Sequence, residues 1–132
     1  MFSLNSRILI VDDMLTMRKL VAKVCREIGF KEFIEAQDGV EGWELLTSSE
    51  PPIDLIISDW NMPNLSGMEF LKKVRADDRF KEIPFLLVTA ESDKDQVVEA
   101  IQAGVSNYLV KPFSGDSLRE KLQAAYQKHY GA

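Results

Sequence analysis

The chain has 132 residues, of which 45% are hydrophobic and 28% charged, enough for one core and too few for two domains of ordinary size, so residues 1–132 are expected to form one domain. A net charge of −5, with the 16 Lys and Arg residues scattered through the chain, argues against direct nucleic-acid binding. No apolar run approaches the length of a bilayer span and no charged-then-apolar leader opens the chain, so a soluble, cytoplasmic protein with no membrane association is expected.

The first element is the β-branched run RILIV at Arg7–Val11, read as a strand. A helical pattern follows, with Met17, Val21, Val24, Cys25 and Ile28 on one face, and Gly29 ends it. The single Cys25 has no internal disulfide partner and is expected to be a buried, inert thiol. The alternation recurs as strand 33–36 and helix 40–46, strand 55–58 and helix 68–74, strand 85–88 and helix 97–103, and strand 108–110 and helix 118–126. Central strands such as Leu55-Ile56-Ile57 are apolar on both faces, which describes a parallel sheet covered by helices on both sides. Right-handed crossovers then predict an α/β, doubly wound five-stranded sheet whose ligand crevice lies at the carboxyl ends of the strands. No linker or low-complexity segment interrupts the pattern, and no effector domain follows the fifth helix, so any output is expected in another protein.

Chemistry collects where the strands end. Asp12 and Asp13 follow the first strand, Asp59 ends the third, Thr89 follows the fourth and Lys111 the fifth. Close carboxylate pairs repel by about 4 kcal/mol at an effective dielectric of about 20. A hard divalent cation offsets this, and Mg²⁺, satisfied by a few carboxylates with water and phosphate oxygens, suits three acids better than Zn²⁺. Lys111 adds a point charge and Thr89 a hydroxyl donor, the groups wanted around a transferring phosphoryl group. A carboxylate can itself be the nucleophile, and Asp59 is the best candidate because it ends the middle strand, whereas adjacent Asp12 and Asp13 suit metal ligation. Taken alone, Asp12-Asp13 reads equally as a solvated turn before a helix.

These residues, Asp12-Asp13, Ser58-Asp59-Trp60-Asn61-Met62-Pro63 with Gly67, Val88-Thr89-Ala90 and Lys111-Pro112-Phe113, resemble the receiver domains of two-component response regulators across essentially the whole chain. Met17-Arg18, the stretch from Glu35 to Val40 and Trp60 to Pro63 are most similar to the family's stand-alone chemotaxis regulators. The resemblance implies a flavodoxin-like fold and an Asp59 that takes a phosphoryl group from a histidine kinase. It implies that Asp13, Asp59 and the backbone carbonyl of Asn61 ligate Mg²⁺, with Asp12 acting through a bound water. Lys111 would pair with the phosphoryl group, Lys111-Pro112 would be a cis peptide, and Thr89, with Ala90 beside it, would move to bind that group and draw Tyr108 inward. Asn61 and Glu91 occupy positions that tune phosphoryl loss. The family's proteins are signalling phosphoacceptors, not enzymes in the ordinary sense, although they assist their own phosphorylation and dephosphorylation. A monomer is expected, with a phosphatase as a further partner. One departure is the acidic opening of the fourth helix, Ser92-Asp93-Lys94-Asp95-Gln96, which bears on the partner and leaves the chemistry alone.

That helix carries more apolar residues (Val97, Val98, Ala100, Ile101, Ala103) than one sheet contact requires. Val97, Ile101, Tyr108, Val110 and Lys121 are therefore expected to form a docking face, for which the family's output, the flagellar motor switch, is the first partner to consider. A phosphorelay intermediate or phosphate sink exchanging with histidine phosphotransfer proteins is the alternative. A flavin carrier would want a Ser, Thr and Gly-rich first loop where this chain has Asp12-Asp13-Met14-Leu15. A haloacid-dehalogenase-like phosphatase would want its two acids two residues apart. Trp43 and Tyr126 read as core or half-buried, and His129 as a solvated residue near the end of the last helix.

Overall fold

The computed structural model describes residues 2–90 and 94–130, apart from the side chains of Lys94, His129 and Tyr130. The readings of Glu91, of the helix opening at Ser92, Asp93 and the Lys94 side chain, and of the His129 side chain therefore lie outside the described residues. Five strands alternate with five helices: β1 (Arg7–Val11), α1 (Leu15–Ile28), β2 (Glu32–Ala36), α2 (Gly39–Ser48), β3 (Leu55–Asp59), α3 (Gly67–Ala76), β4 (Phe85–Thr89), α4 (Lys94–Gln102), β5 (Asn107–Val110) and α5 (Gly115–Tyr130). The strands form one parallel sheet in the order β2-β1-β3-β4-β5, the doubly wound flavodoxin-like arrangement expected from the sequence. The order reverses between β1 and β3, opening a crevice at their carboxyl ends.

Why these segments are strands follows from their burial. All five residues of β3 and of β4 are buried, and successive side chains point to opposite faces. Ile8, Ile10, Leu55 and Ile57 pack with Val21, Cys25, Leu118 and Leu122 of α1 and α5. Leu9, Val11, Ile56 and Leu87 pack with Leu46, Phe70, Leu71 and Ala100 of α2, α3 and α4. At about 1.5–3 kcal/mol per fully buried aliphatic or Phe side chain, these two layers provide the main drive for folding. Cys25 is fully buried, and desolvation pushes its thiol up to about 12, the inert group expected. Trp43 is half-buried against Phe80, and Tyr126 against Phe2.

Helix ends are set by local chemistry. Gly29 stops α1 at φ 125, its N–H donating to the Arg26 and Cys25 carbonyls, a conformation natural to glycine. Ser66 and Glu69 cap α3 reciprocally, the Ser66 hydroxyl accepting from Glu69 N and the Glu69 carboxylate from Ser66 N, both at 3.1 Å. The Lys111-Pro112 bond is cis, as the resemblance implied; Glu50-Pro51 is also cis, which nothing in the sequence reading anticipated.

Candidate functional site

Strand register brings the chemistry to one edge. Asp59 is the last residue of β3 and pairs with Val88 on β4, so Thr89 stands one place further along the neighbouring strand. Thr89 in turn pairs with Val110, and the Lys111 N–H donates to the Thr89 carbonyl at 2.7 Å. Asp12 lies just past β1, its N–H donating to the Ala36 carbonyl. Because β3 is central in space as well as in chain order, Asp59 is flanked on both sides.

Carboxylate oxygens of Asp12, Asp13 and Asp59 all lie within 4.8 Å of one another. Asp12 and Asp59 are buried at 3% and 8% exposure, while Asp13 is exposed. Lys111 Nζ reaches Asp59 Oδ1 at 3.1 Å and Asp12 Oδ2 at 3.5 Å. The Met14 N–H donates to Asp12 Oδ1 at 2.9 Å, turning the chain into α1. Burial pushes the Asp59 carboxyl above its ordinary value, opposed by the charge and hydrogen bond of Lys111. Asp12 is likewise pushed up, first by burial and then by the charge of Asp59, against the bond from Met14 N–H. One ammonium thus pairs with two of three clustered carboxylates. An all-oxygen donor set with surplus negative charge, two of its three carboxylates buried, suits a hard divalent cation such as Mg²⁺.

Two supports were not assigned a role from the sequence. Arg18 Nη1 donates to the Asp12 carbonyl at 2.6 Å, and its Nε to Glu35 Oε1 at 3.2 Å, while Lys19 Nζ meets Glu35 Oε2 at 2.8 Å. The hydrogen bonds to Lys19 and Arg18 hold the Glu35 carboxyl below its ordinary value. Gly67 is the second support: its N–H donates to the Trp60 carbonyl at 2.7 Å, and a Cβ there would lie 2.0 Å from the Asp59 carbonyl oxygen. Only glycine permits that approach.

Of the other expected residues, Trp60 is buried beside Asp59, with its N–H bonded to the Val88 carbonyl at 3.0 Å; Asn61 and Ala90 are exposed. Tyr108 and Val110 are half-buried on β5, and Lys121 Nζ sits 5.0 Å from the Tyr108 ring centroid. On α4, Ala100 is buried, Val97 half-buried, and Val98 and Ile101 exposed at 44% and 57%, so the outer apolar residues do face solvent. A hollow of about 360 Å³ lined by Ser6, Asp54 and Tyr126 lies at the opposite, amino end of the strands and gathers no comparable charge. No helix among the described residues is long and apolar enough to cross a membrane.

A doubly wound parallel sheet with acids on both sides of its switch point defines the class: α/β proteins that work at the carboxyl edge of the sheet. The family model of the response regulator receiver domain matches residues 8–123, and the chain belongs to that family. Among its relatives, it is 45% identical to the chemotaxis protein CheY1 of Helicobacter pylori over 89% of this chain and 94% of that one. It is 44% identical to the chemotaxis protein CheY of Pseudomonas aeruginosa over 95% and 99%. The solved structure of chemotaxis protein CheY4 of Vibrio cholerae superposes with a TM-score of 0.83 at 34% identity, covering 92% of this chain and 98% of that one. Within its family the chain therefore stands with the CheY-like regulators.

Proposed function

We propose that the chain is a single receiver domain acting as a phosphorylation-controlled switch in chemotaxis, with Asp59 as phosphoacceptor. The observation that carries this reading is the Asp59 carboxylate at the end of the central strand, 3.1 Å from Lys111 Nζ and within 4.8 Å of Asp12 and Asp13. Asp12, Asp13, Asp59 and the Asn61 carbonyl would hold Mg²⁺, which when bound supplies positive charge to the phosphoryl oxygens. A phosphohistidine of a histidine kinase is the donor: an Asp59 oxygen attacks phosphorus, the P–O bond forms as the P–N bond breaks, and the imidazole leaves. Lys111 balances charge on the transferring group. Attack of water on the same phosphorus later releases phosphate and restores the carboxylate, at a rate tuned by Asn61 and Glu91 and by any phosphatase. The chain is a signalling phosphoacceptor of the cytoplasm and works as a monomer.

Output follows from two states. Thr89 and Ala90 take up contacts to the phosphoryl group and Tyr108 turns inward, reshaping the face of Val97, Ile101, Tyr108, Val110 and Lys121 for the flagellar motor switch. Moving the balance from 1:99 to 99:1 takes about 5.5 kcal/mol, which the Thr89 and Lys111 contacts must largely supply. The exposed Val98 and Ile101 support a docking output over a phosphorelay role. The test adds Mg²⁺ with acetyl phosphate or beryllofluoride, follows Trp60 emission in a Trp43→Phe background, and measures affinity for a motor-switch peptide and for a histidine phosphotransfer protein. A Trp60 response abolished by Asp59→Asn, with a gain in peptide affinity, is expected. A silent site would refute the reading, and a gain for the phosphotransfer protein alone would replace it by the relay.

A further inference from the structure

The loop between β3 and α3 leaves the site at Asp59 and returns to it at Gly67, closed by the Gly67 N–H bond to the Trp60 carbonyl. At its far side Asn64 has φ 69, a left-handed conformation that non-glycine residues adopt only with local support. The support is visible. Asn64 Nδ2 donates to Asp38 Oδ2 at 2.7 Å, while the other Asp38 oxygen accepts from Glu41 N at 2.8 Å and caps α2. One residue on, the Gly39 N–H donates to the Leu65 carbonyl at 3.2 Å, and a Cβ on Gly39 would lie 2.7 Å from that oxygen. The β2–α2 and β3–α3 loops are thus interlocked through adjacent residues on each side.

We propose that Asp38 and Asn64 form a latch that positions the β3–α3 loop, making Asn64 a positioning residue for the metal and phosphoryl site. The proposal rests on the reading that Asp12, Asp13, Asp59 and the Asn61 carbonyl hold Mg²⁺. Asn61 lies in the loop, three residues before Asn64, with no strand or helix bonds to hold its carbonyl. Direction of that carbonyl depends on how the loop is tied down. Its near end is tied to the sheet through Trp60 N–H and Val88; its far end is tied through Asn64 to Asp38. An ionised acceptor shortens and strengthens such a bond. Bonds from Glu41 N–H and then Asn64 hold the Asp38 carboxyl below its ordinary value, so it stays ionised at neutral pH. In metal sites, groups that orient the ligands weigh heavily in affinity although they never touch the ion.

The test uses the full chain and four proteins: wild type, Asn64→Asp, Asn64→Gly and the exchanged pair Asp38→Asn with Asn64→Asp. Mg²⁺ affinity is measured by calorimetry, and metal-free amide exchange at Leu65 and Gly67 by NMR. Asn64→Asp sets two carboxylates against each other and should weaken Mg²⁺ about 10-fold, although its added negative charge alone would strengthen it. Asn64→Gly adopts φ 69 without strain, so a loss of affinity there, with faster exchange at Leu65 and Gly67, reports the side-chain bond and not the backbone. The exchanged pair keeps the net charge, the α2 cap and a mirror-image hydrogen bond, and should return to within about twofold of wild type. Wild-type affinity in Asn64→Asp, or failure of the exchanged pair to restore it, overturns the proposal even if thermal stability falls. If wild type itself binds no Mg²⁺, the reading of the site fails, and unchanged amide exchange in Asn64→Asp and Asn64→Gly then overturns the latch separately.

Discussion

Asp12 and Asp59 in the crevice, and Asp38 and Glu69 at the starts of α2 and α3, are acids at the same edge of the sheet held in opposite ways. The cap acids accept backbone N–H groups, Asp38 from Glu41 and Glu69 from Ser66, and both are held below their ordinary values of 3.8 and 4.5. Burial pushes the crevice acids above 3.8, with one lysine between them. A carboxylate with directed donors stabilises the fold; one that is buried with too few is held there at a cost that a neighbouring positive charge only partly offsets. Neutral pH therefore favours the caps and strains the crevice. For the caps, stability is present above the ordinary values and lost as pH falls through the lower folded ones. For the crevice acids the sign reverses, because the folded state holds the proton more tightly and the strain is relieved as pH falls through the raised folded values.

Gly67 joins the two regions, and its substitution should have the largest effect. With the Ala Cβ placed 2.0 Å from the Asp59 carbonyl oxygen, Gly67→Ala should cost about 3 kcal/mol, the upper end of overpacking, seen in urea unfolding, and should blunt Mg²⁺ binding too. Next, Ser66→Ala removes half of the α3 capping box and should cost about 1 kcal/mol while leaving the crevice acids as they are. Asp12→Asn keeps an acceptor for the Met14 N–H but removes a buried charge. Its urea midpoint at pH 7 without Mg²⁺ should rise, and the further rise on adding Mg²⁺ should shrink; a fall in the metal-free midpoint would undo the comparison. Asp38→Asn should be less stable than wild type at pH 6, and the gap should narrow by pH 3 as wild type loses the ionised cap. The smallest effect belongs to Glu99→Gln, which breaks an exposed 3.7 Å pair with Lys72 and should change stability by less than about 0.5 kcal/mol.

Legibility in the sequence tracked how local the cause was. β1 stands where RILIV predicted it, because a run apolar on both faces has no other home in a small α/β chain. Strands β3 and β4 extend one residue beyond the expected 55–58 and 85–88, to Asp59 and Thr89, since ladder bonds continue past the point where side chains turn polar. The Asp38 cap had a readable signal in Asp38-Gly39-Val40-Glu41, an acid or hydroxyl residue followed three places on by glutamate. Asn64 had only half a signal: asparagine after proline is a turn residue that tolerates a left-handed φ, but its bond across 26 positions leaves no local trace. The Arg18 bond to the Asp12 carbonyl was hidden in the same way, because Arg18 on an exposed helix and Arg18 under a strand end look alike in one dimension.

By itself the sequence determined the alternation of strands and helices, the buried layers, and the identities of the acids, threonine and lysine that end the strands, because hydrophobic periodicity and residue chemistry are written locally. Only the tertiary structure decided that Lys111 stands between Asp12 and Asp59, that α3 touches the backbone of Asp59 through Gly67, and that Asp38 reaches Asn64. Those contacts depend on strand order and register, which parallel crossovers set over long stretches of chain, and a shift of a few ångströms would turn each of them into separation.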